Sequence, residues 1–323
     1  MEIRRRATMA VIRAGRACLK GTAIGQLPLS GIALRRLVRF GHGSGDVTAD
    51  FRGLALTVPT SSASIAAGLF GGFYESIELE LFEKLCAQSR TVVDVGANLG
   101  IYSCLAVRHL DSGGVLVAFE PEPGNLARLK ANLRRNGAGN VADAVIEPVA
   151  VGDVPGTATL RVADDVGLHS VAVDGGSGLT VPQVSLDTCL PEVFAQRGER
   201  HPVDVLKIDV EGYDGHVLRG ARRTIAEDRP ALLIEFSVPQ LRRCGFAARE
   251  FVDLLAETYD EIHIIEESRR RVLSCAPEDL LAARYRARLV NVVAAVRPEH
   301  RRLFADWASR YGERQERRLV SRA

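Results

Sequence analysis

Short apolar runs alternate with amphipathic stretches through the middle of the chain. Seven such runs occur, at 91–95 (TVVDV), 115–120 (VLVAFE), 144–151 (AVIEPVAV), 204–210 (DVLKIDV), 231–237 (ALLIEFS), 261–265 (EIHII) and 289–296 (LVNVVAAV). Continuous apolar runs of this length fit parallel strands covered on both faces, and parallel neighbours need long crossovers, which are helices. The intervening segments supply them. Leu126, Leu129 and Leu133 recur on one side of 122–136, and Ile77, Leu81, Phe82 and Leu85 do so in 75–88. The pattern predicts an α/β domain over 73–297 with a doubly wound, seven-stranded, mostly parallel sheet. Its last run, 289–296, is expected antiparallel at or near one edge. Ahead of it, 1–72 reads as an N-terminal extension whose residues 47–58 form a short hairpin turning at Arg52-Gly53. Residues 153–203, with a glycine-rich stretch at 174–178, interrupt the alternation as a lid-like insertion over the substrate. Residues 298–323 read as a helical tail.

Composition narrows the class. A chain of 323 residues that is 46% hydrophobic and 25% charged can bury a sizeable core. The net charge of +2 hides an asymmetry, because residues 1–40 hold nine Lys/Arg against Glu2. The body is therefore acidic, which argues against a nucleic-acid partner and for a small-molecule one. No run approaches the roughly 18 apolar residues of a spanning helix. The basic residues of 1–40 allow at most a weak surface association with a membrane. The six cysteines form no C-x-x-C pair and sit at no metal-ligand spacing, so they read as reduced residues of a cytoplasmic protein, with no metal expected.

Chemistry concentrates at two places. The first is Asp94-Val95-Gly96-Ala97-Asn98-Leu99-Gly100, which leaves a strand and opens a helix. Glycines there let the backbone turn sharply beneath a ligand. Glu120 ends the next strand, 20 residues past Gly100, where a carboxylate accepts hydrogen bonds from both hydroxyls of an adenosine ribose. The loop lacks the third glycine of G-x-G-x-x-G, and Asp94 would repel a pyrophosphate but attract the ammonium of a methionine. These features favour S-adenosyl-L-methionine over a nicotinamide dinucleotide. Asp94, Gly96, Asn98 and Gly100 are expected around its methionine portion and Glu120 on its ribose. Asp153, after the third strand, is a candidate for the adenine amino group.

The second is Lys207-Ile208-Asp209-Val210-Glu211, where alternate positions of an extended chain bring one cation and two carboxylates to one side. Glu235 at the end of the following strand should lie beside Asp209, and His169 in the insertion is the histidine best placed to reach a substrate. An alcohol is a poor nucleophile at neutral pH, so a general base is expected. Asp209 or Glu211 is the first choice and His169 the second. Lys207 would tune the neighbouring acids or hold the hydroxyl, and His216 is a weaker candidate.

Several of these segments together resemble one family. TVVDVGANLGIYS, VAFEPEPGNLARLKANLRRN, VAVGD, VLKIDVEGYDGHVLRGA and LLIEF, with the lead-in Tyr74-Glu75, are similar to the FkbM family of S-adenosylmethionine-dependent methyltransferases over about 70–240. The resemblance implies the class I, Rossmann-like methyltransferase fold. It also implies methylation of a hydroxyl on a sugar, polyketide or related natural product, a small-molecule or saccharide acceptor. The rival readings are a nicotinamide-dependent oxidoreductase and a methyltransferase-like binding protein without turnover. The oligomeric state cannot be read from the sequence.

Overall fold

The structure, a computed structural model, describes residues 45–60, 62–72, 74–110, 113–137, 143–161, 170–171, 177–198 and 201–320. The chain enters through a hairpin of β1 (Asp46–Phe51) and β2 (Leu54–Pro59). Arg52 and Gly53 both have positive φ, 51° and 77°. That is the type I′ turn whose twist matches paired strands. Two helices follow, α1 (Ala63–Gly71) and α2 (Ser76–Cys86).

The alternation then begins with β3 (Thr91–Val95), α3 (Ile101–His109), β4 (Val115–Phe119), α4 (Pro123–Arg135) and β5 (Asp143–Glu147). β6 (Ala150–Val151), β7 (Gly156–Arg161), β8 (Ser170–Val171) and β9 (Leu179–Val184) form a separate four-stranded sheet. The run 144–151, expected as one strand, is thus two. Pro148 between Glu147 and Ala150 has no N–H for a ladder, and the chain leaves the main sheet there.

Beyond the small sheet come α5 (Leu186–Gln196), β10 (Val205–Ile208), α6 (Asp214–Gly220), α7 (Arg222–Asp228) and β11 (Ala231–Ser237). The chain closes with α8 (Val238–Arg243), α9 (Ala248–Ala256), β12 (Ile262–Glu266), β13 (Arg271–Cys275), β14 (Leu289–Ala294) and α10 (Pro298–Val320). The main sheet has the order β13-β12-β14-β11-β10-β3-β4-β5. β11, β10, β3, β4 and β5 are mutually parallel, and β14 is antiparallel to both β11 and β12. An eighth strand, β13, is added to the seven expected, antiparallel at the edge beside β12.

Alternate strand residues feed two cores. Val92, Leu116, Val205 and Leu233 meet α2, α3, α4 and α10 on one face. Val93, Val117, Leu206 and Leu232 meet α5, α6, α7 and α9 on the other. The last helix belongs to the first core: Trp307 is fully buried, and its Nε1 donates to the Ile77 carbonyl at 3.1 Å. The hairpin is clamped by Asn132 of α4. Its Oδ1 accepts from the Thr57 amide at 2.7 Å, and its Nδ2 donates to the carbonyls of Thr57 (3.1 Å) and Leu99 (2.8 Å). Among the described residues no helix is long and apolar enough to cross a membrane.

Candidate functional site

The chain winds outward from β3 to β5 on one side, then returns to place β10 and β11 on the other. A crevice opens outside the carboxyl ends of the strands where the winding reverses. A cavity of about 420 Å³ occupies it. Its floor is built from the residues that leave the strands: Gly96 and Asn98 after β3, Glu120 to Glu122 after β4, and Asp209 to Glu211 after β10. Val149 to Val151 and the small-sheet residues Leu160 and Val171 form an apolar wall, and Tyr74 and Glu75, between α1 and α2, close the other side.

The loop after β3 starts on backbone hydrogen bonds. The amides of Gly96 and Ala97 both donate to the Phe119 carbonyl, at 3.1 and 2.9 Å. Gly96 has φ +79°, and a Cβ there would lie 2.0 Å from the Asp209 carbonyl oxygen. The close approach of the β3 and β10 loops therefore requires glycine. Three residues other than glycine on the cavity wall also have positive φ: Glu75 (36°), Asn98 (52°) and Glu211 (54°). Backbone in that region is costly outside glycine and concentrates at ligand sites.

Glu120 is fixed by backbone donors. Its Oε2 accepts from the Asn98 amide and its Oε1 from the Glu122 amide, both at 2.8 Å. Burial pushes its carboxyl up to about 7 against the pull of those two donors.

Opposite Glu120 the wall is acidic around one buried cation. Lys207, 4% exposed, donates from Nζ to Asp209 Oδ2 at 3.0 Å and lies 4.4 Å from the centroid of the Tyr102 ring. Burial works against its charge, but Asp209, Asp94, Glu75 and Glu78 outweigh it and raise its pKa above the ordinary value. Glu211 accepts from Gln240 Nε2 at 3.0 Å; burial, reinforced by Asp209 and Asp214, lifts its carboxyl to about 8. Glu235 lies in β11 across from Asn291 of β14, and its Oε2 has no hydrogen-bond partner among the described residues. Burial first, then Asp209, Asp214, Glu211 and Glu75, hold it well above the usual carboxylate range.

The structure thus brings together Gly96, Asn98, Glu120, Asp209, Glu211 and Glu235 around one cavity, with Lys207 bound to one of them. Three expected residues stand elsewhere. Asp94 is fully buried behind the wall. It accepts from Ser103 Oγ at 2.6 Å, pairs in register with Lys207 and does not line the cavity. Gly100, φ +84°, serves packing: a Cβ would lie 2.5 Å from Leu129 Cδ1 beneath α3. Asp153 is turned away by an ion pair with Arg219 Nη1 (2.8 Å) and a contact with His216 Nδ1 (3.1 Å). Burial opposes its charge, but these partners hold its carboxyl below the ordinary value. The same contacts remove His216 from the cavity, since its Nε2 lies 2.9 Å from the Cys244 carbonyl and its ring stacks on Tyr213. His169 lies outside the described residues.

Two glutamates were not read from sequence as site residues. Glu75 lines the cavity and Glu78 lies behind it, and the Tyr102 hydroxyl stands between them. The lead-in Tyr74-Glu75 was the available signal, but its distance from β3 in sequence gave no reason to place it beside Asp209. Among the described residues no group of three or more His, Cys, Asp or Glu is arranged to hold a metal ion.

The methyltransferase FkbM domain matches residues 94–267, just over half of the chain. The hexuronic acid methyltransferase AglP of Haloferax volcanii is 29% identical over 170 residues, 51% of this chain and 60% of that protein. Among solved structures, the methyltransferase FkbM of Methylobacillus flagellatus is 17% identical with a TM-score of 0.37. The match covers 72% of this chain and 54% of that one. The O-methyltransferase TomG of Streptomyces achromogenes, solved in complex with SAM, is 12% identical with a TM-score of 0.40, covering 69% and 80%. The chain spans about 60% of the length of AglP and about half of the M. flagellatus protein. The chain belongs to the FkbM family of methyltransferases, which take S-adenosyl-L-methionine as methyl donor on the class I, Rossmann-like fold.

Proposed function

We propose that the chain transfers the methyl group of S-adenosyl-L-methionine to a hydroxyl of a saccharide or a related polyhydroxylated natural product. The observation that carries this reading is the pairing, in one cavity of small-molecule size, of a backbone-anchored carboxylate with an acidic wall. Glu120 accepts the two ribose hydroxyls, while the amides of Asn98 and Glu122 fix both of its oxygens in place. The adenine lies against Pro121 and the apolar run Val149 to Val151, and the methionine portion follows Gly96 and Asn98. When bound, the cofactor supplies an electrophilic methyl on a sulfonium.

The acceptor enters from the side of Asp209, Glu211 and Glu235, whose oxygens accept hydrogen bonds from neighbouring hydroxyls of a sugar. One oxygen of Asp209 is committed to Lys207. This gives Asp209 a fixed direction, which suits orientation of the acceptor, and positioning supplies much of the rate of such a displacement. Similarity to a hexuronic acid methyltransferase supports the saccharide class.

Calorimetry and a transfer assay test this. The protein should bind S-adenosylmethionine and not NADH. Label from [methyl-³H]S-adenosylmethionine should appear on a pyranoside in a panel of neutral, acidic and amino sugars. Lack of S-adenosylmethionine binding by folded protein would refute the reading, and label appearing on an amine or carbon would refute O-methylation.

A further inference from the structure

The Tyr102 hydroxyl oxygen lies 2.6 Å from Glu75 Oε2 and 2.7 Å from Glu78 Oε1. These are lengths of charge-assisted O–H···O bonds. A phenol has one proton to donate, so it can satisfy one carboxylate; the second oxygen can approach that closely only if it brings a proton of its own. One of the two glutamates is therefore neutral. Burial together with Glu75 and Glu78 pushes the Tyr102 phenol well above its ordinary value, so it keeps its own proton.

The two glutamates have different surroundings. Glu78 is 5% exposed, lies behind the cavity wall, and takes a further hydrogen bond from Asn291 Nδ2. Glu75 lines the cavity beside Asp209 and Glu235, at a left-handed backbone position before α2. The groups facing the pair come from several elements: Tyr74 beside Glu75, Tyr102 of α3, Lys207 of β10 with Asp209 just beyond it, and Glu235 of β11. Glu267, after β12, accepts from the Ile77 amide and Ser76 Oγ at the start of α2.

We infer that Glu75 is the base that receives the proton of the acceptor hydroxyl, with Tyr102 and Glu78 as positioning residues that aim it and set the pH at which it ionises. Below its midpoint Glu75 keeps the shared proton and donates it toward the Tyr102 oxygen, while the ionised Glu78 takes the phenolic proton; above the midpoint the phenol is the one donor left between two carboxylates. As the acceptor oxygen forms its bond to the methyl carbon, the carbon–sulfur bond breaks and its electron pair goes to sulfur. The hydroxyl proton goes to the Glu75 carboxylate and leaves to water with the product. Burial, then Glu78 and Asp209, raise the Glu75 carboxyl to about 8, against Lys207 and Tyr102, so the ionised base is populated as pH rises through that value.

The assignment rests on the proposed methyl transfer to a hydroxyl, and its test separates the two. In full-length protein labelled with [¹³C]glutamate, the Glu75 carboxyl signal, assigned by its loss in Glu75→Gln, should titrate near pH 8. Glu78→Gln removes a neighbouring acid and should move that midpoint down. Tyr102→Phe removes a donor and should move it up. In the transfer assay, Glu75→Gln should bind S-adenosylmethionine as the parent protein does, yet turn over roughly 10²–10⁴-fold more slowly. The rate of the parent should rise with pH and level off above the Glu75 midpoint, with the limb shifted in Glu78→Gln. A Glu75 signal titrating below pH 5.5, indifferent to Glu78→Gln, overturns the assignment without any acceptor in hand. So does parental turnover in Glu75→Gln. Failure to bind S-adenosylmethionine would instead count against the proposed function.

Discussion

Replacing Gly96 by alanine puts a methyl group where the β3 and β10 loops touch. Two costs add. A left-handed backbone costs an L-residue roughly 1–2 kcal/mol. The new Cβ would lie 2.0 Å from the Asp209 carbonyl oxygen and 2.9 Å from its carbon. Those are backbone atoms and cannot rotate aside, so one loop must shift, at a cost typical of overpacking, about 1–3 kcal/mol. The sum, about 2–5 kcal/mol, corresponds to a drop in melting temperature of roughly 4–10 °C for a chain of this size. Gly137→Ala separates the contributions, because Gly137 has φ +97° but nothing within 4 Å of its would-be Cβ. It should show the conformational cost alone, on the order of 1–2 kcal/mol. Chemical denaturation of both variants, with S-adenosylmethionine calorimetry on whatever stays folded, measures this. Gly96→Ala should also lose affinity, since the shift moves Gly96 against Asp209 within the cavity. Equal destabilisation of the two variants, with normal cofactor affinity in Gly96→Ala, would refute the close-contact argument.

Other outcomes follow from the same geometry. Glu120→Ala should weaken S-adenosylmethionine binding by roughly 1.5–3 kcal/mol for each charge-assisted bond lost, and unchanged affinity by calorimetry would remove Glu120 from the ribose. Asn132→Ala breaks three hydrogen bonds to backbone at the hairpin and α3, and should cost about 2–4 kcal/mol by denaturant unfolding, at roughly 1 kcal/mol each plus unmet buried groups. Ligand-free protein should become less stable as pH rises from about 5 to 9. Glu75 and Glu211 at about 8, and Glu120 and Asp214 at about 7, all sit above ordinary carboxylate values, so the folded state holds more protons than the unfolded one in that window. Their contribution is complete below about pH 4.5 and lost as pH passes 7 to 8; a melting temperature that climbs across this range would contradict the assignment. Lys207→Met should destabilise by about 3–5 kcal/mol at pH 8 and by less at pH 6, where its acidic neighbours can take up protons.

What was legible in the sequence had local causes. The runs at β3, β4, β10 and β11 are continuous because both faces of those strands are covered, and Arg52-Gly53 marks a two-residue turn. The run 144–151 reads as one strand because apolar residues lie on both sides of Pro148, where the chain leaves the main sheet. β13 (RVLSC) is short, follows Arg269 and Arg270, and lies at an edge, so its apolar residues amount to Val272 on one side and Leu273 on the other, too few to stand out as a run. Glu120 could be placed because it stands at a fixed distance from the glycine loop. Asp94 could not be placed, because its orientation depends on the register that sets it opposite Lys207, more than a hundred residues away. Asp153 likewise looked free until α6 brought His216 and Arg219 to it. Glu75 is marked in the sequence only by the lead-in Tyr74-Glu75, since its neighbours Tyr102, Lys207 and Asp209 come from two later segments.

The base of the hairpin is closed on itself: the Thr60 amide and hydroxyl both donate to the Gly45 carbonyl, at 2.8 and 3.0 Å. The chain therefore arrives at β1 and departs from β2 at one point, with Asn132 riveting the turn-side length of β2 to α4. A pull on Gly45 is borne first by its hydrogen bonds from Thr60, at a junction remote in sequence from the cofactor loop. The hairpin works as a grommet, fixing the point where the chain joins the body without drawing on the loops that line the cleft.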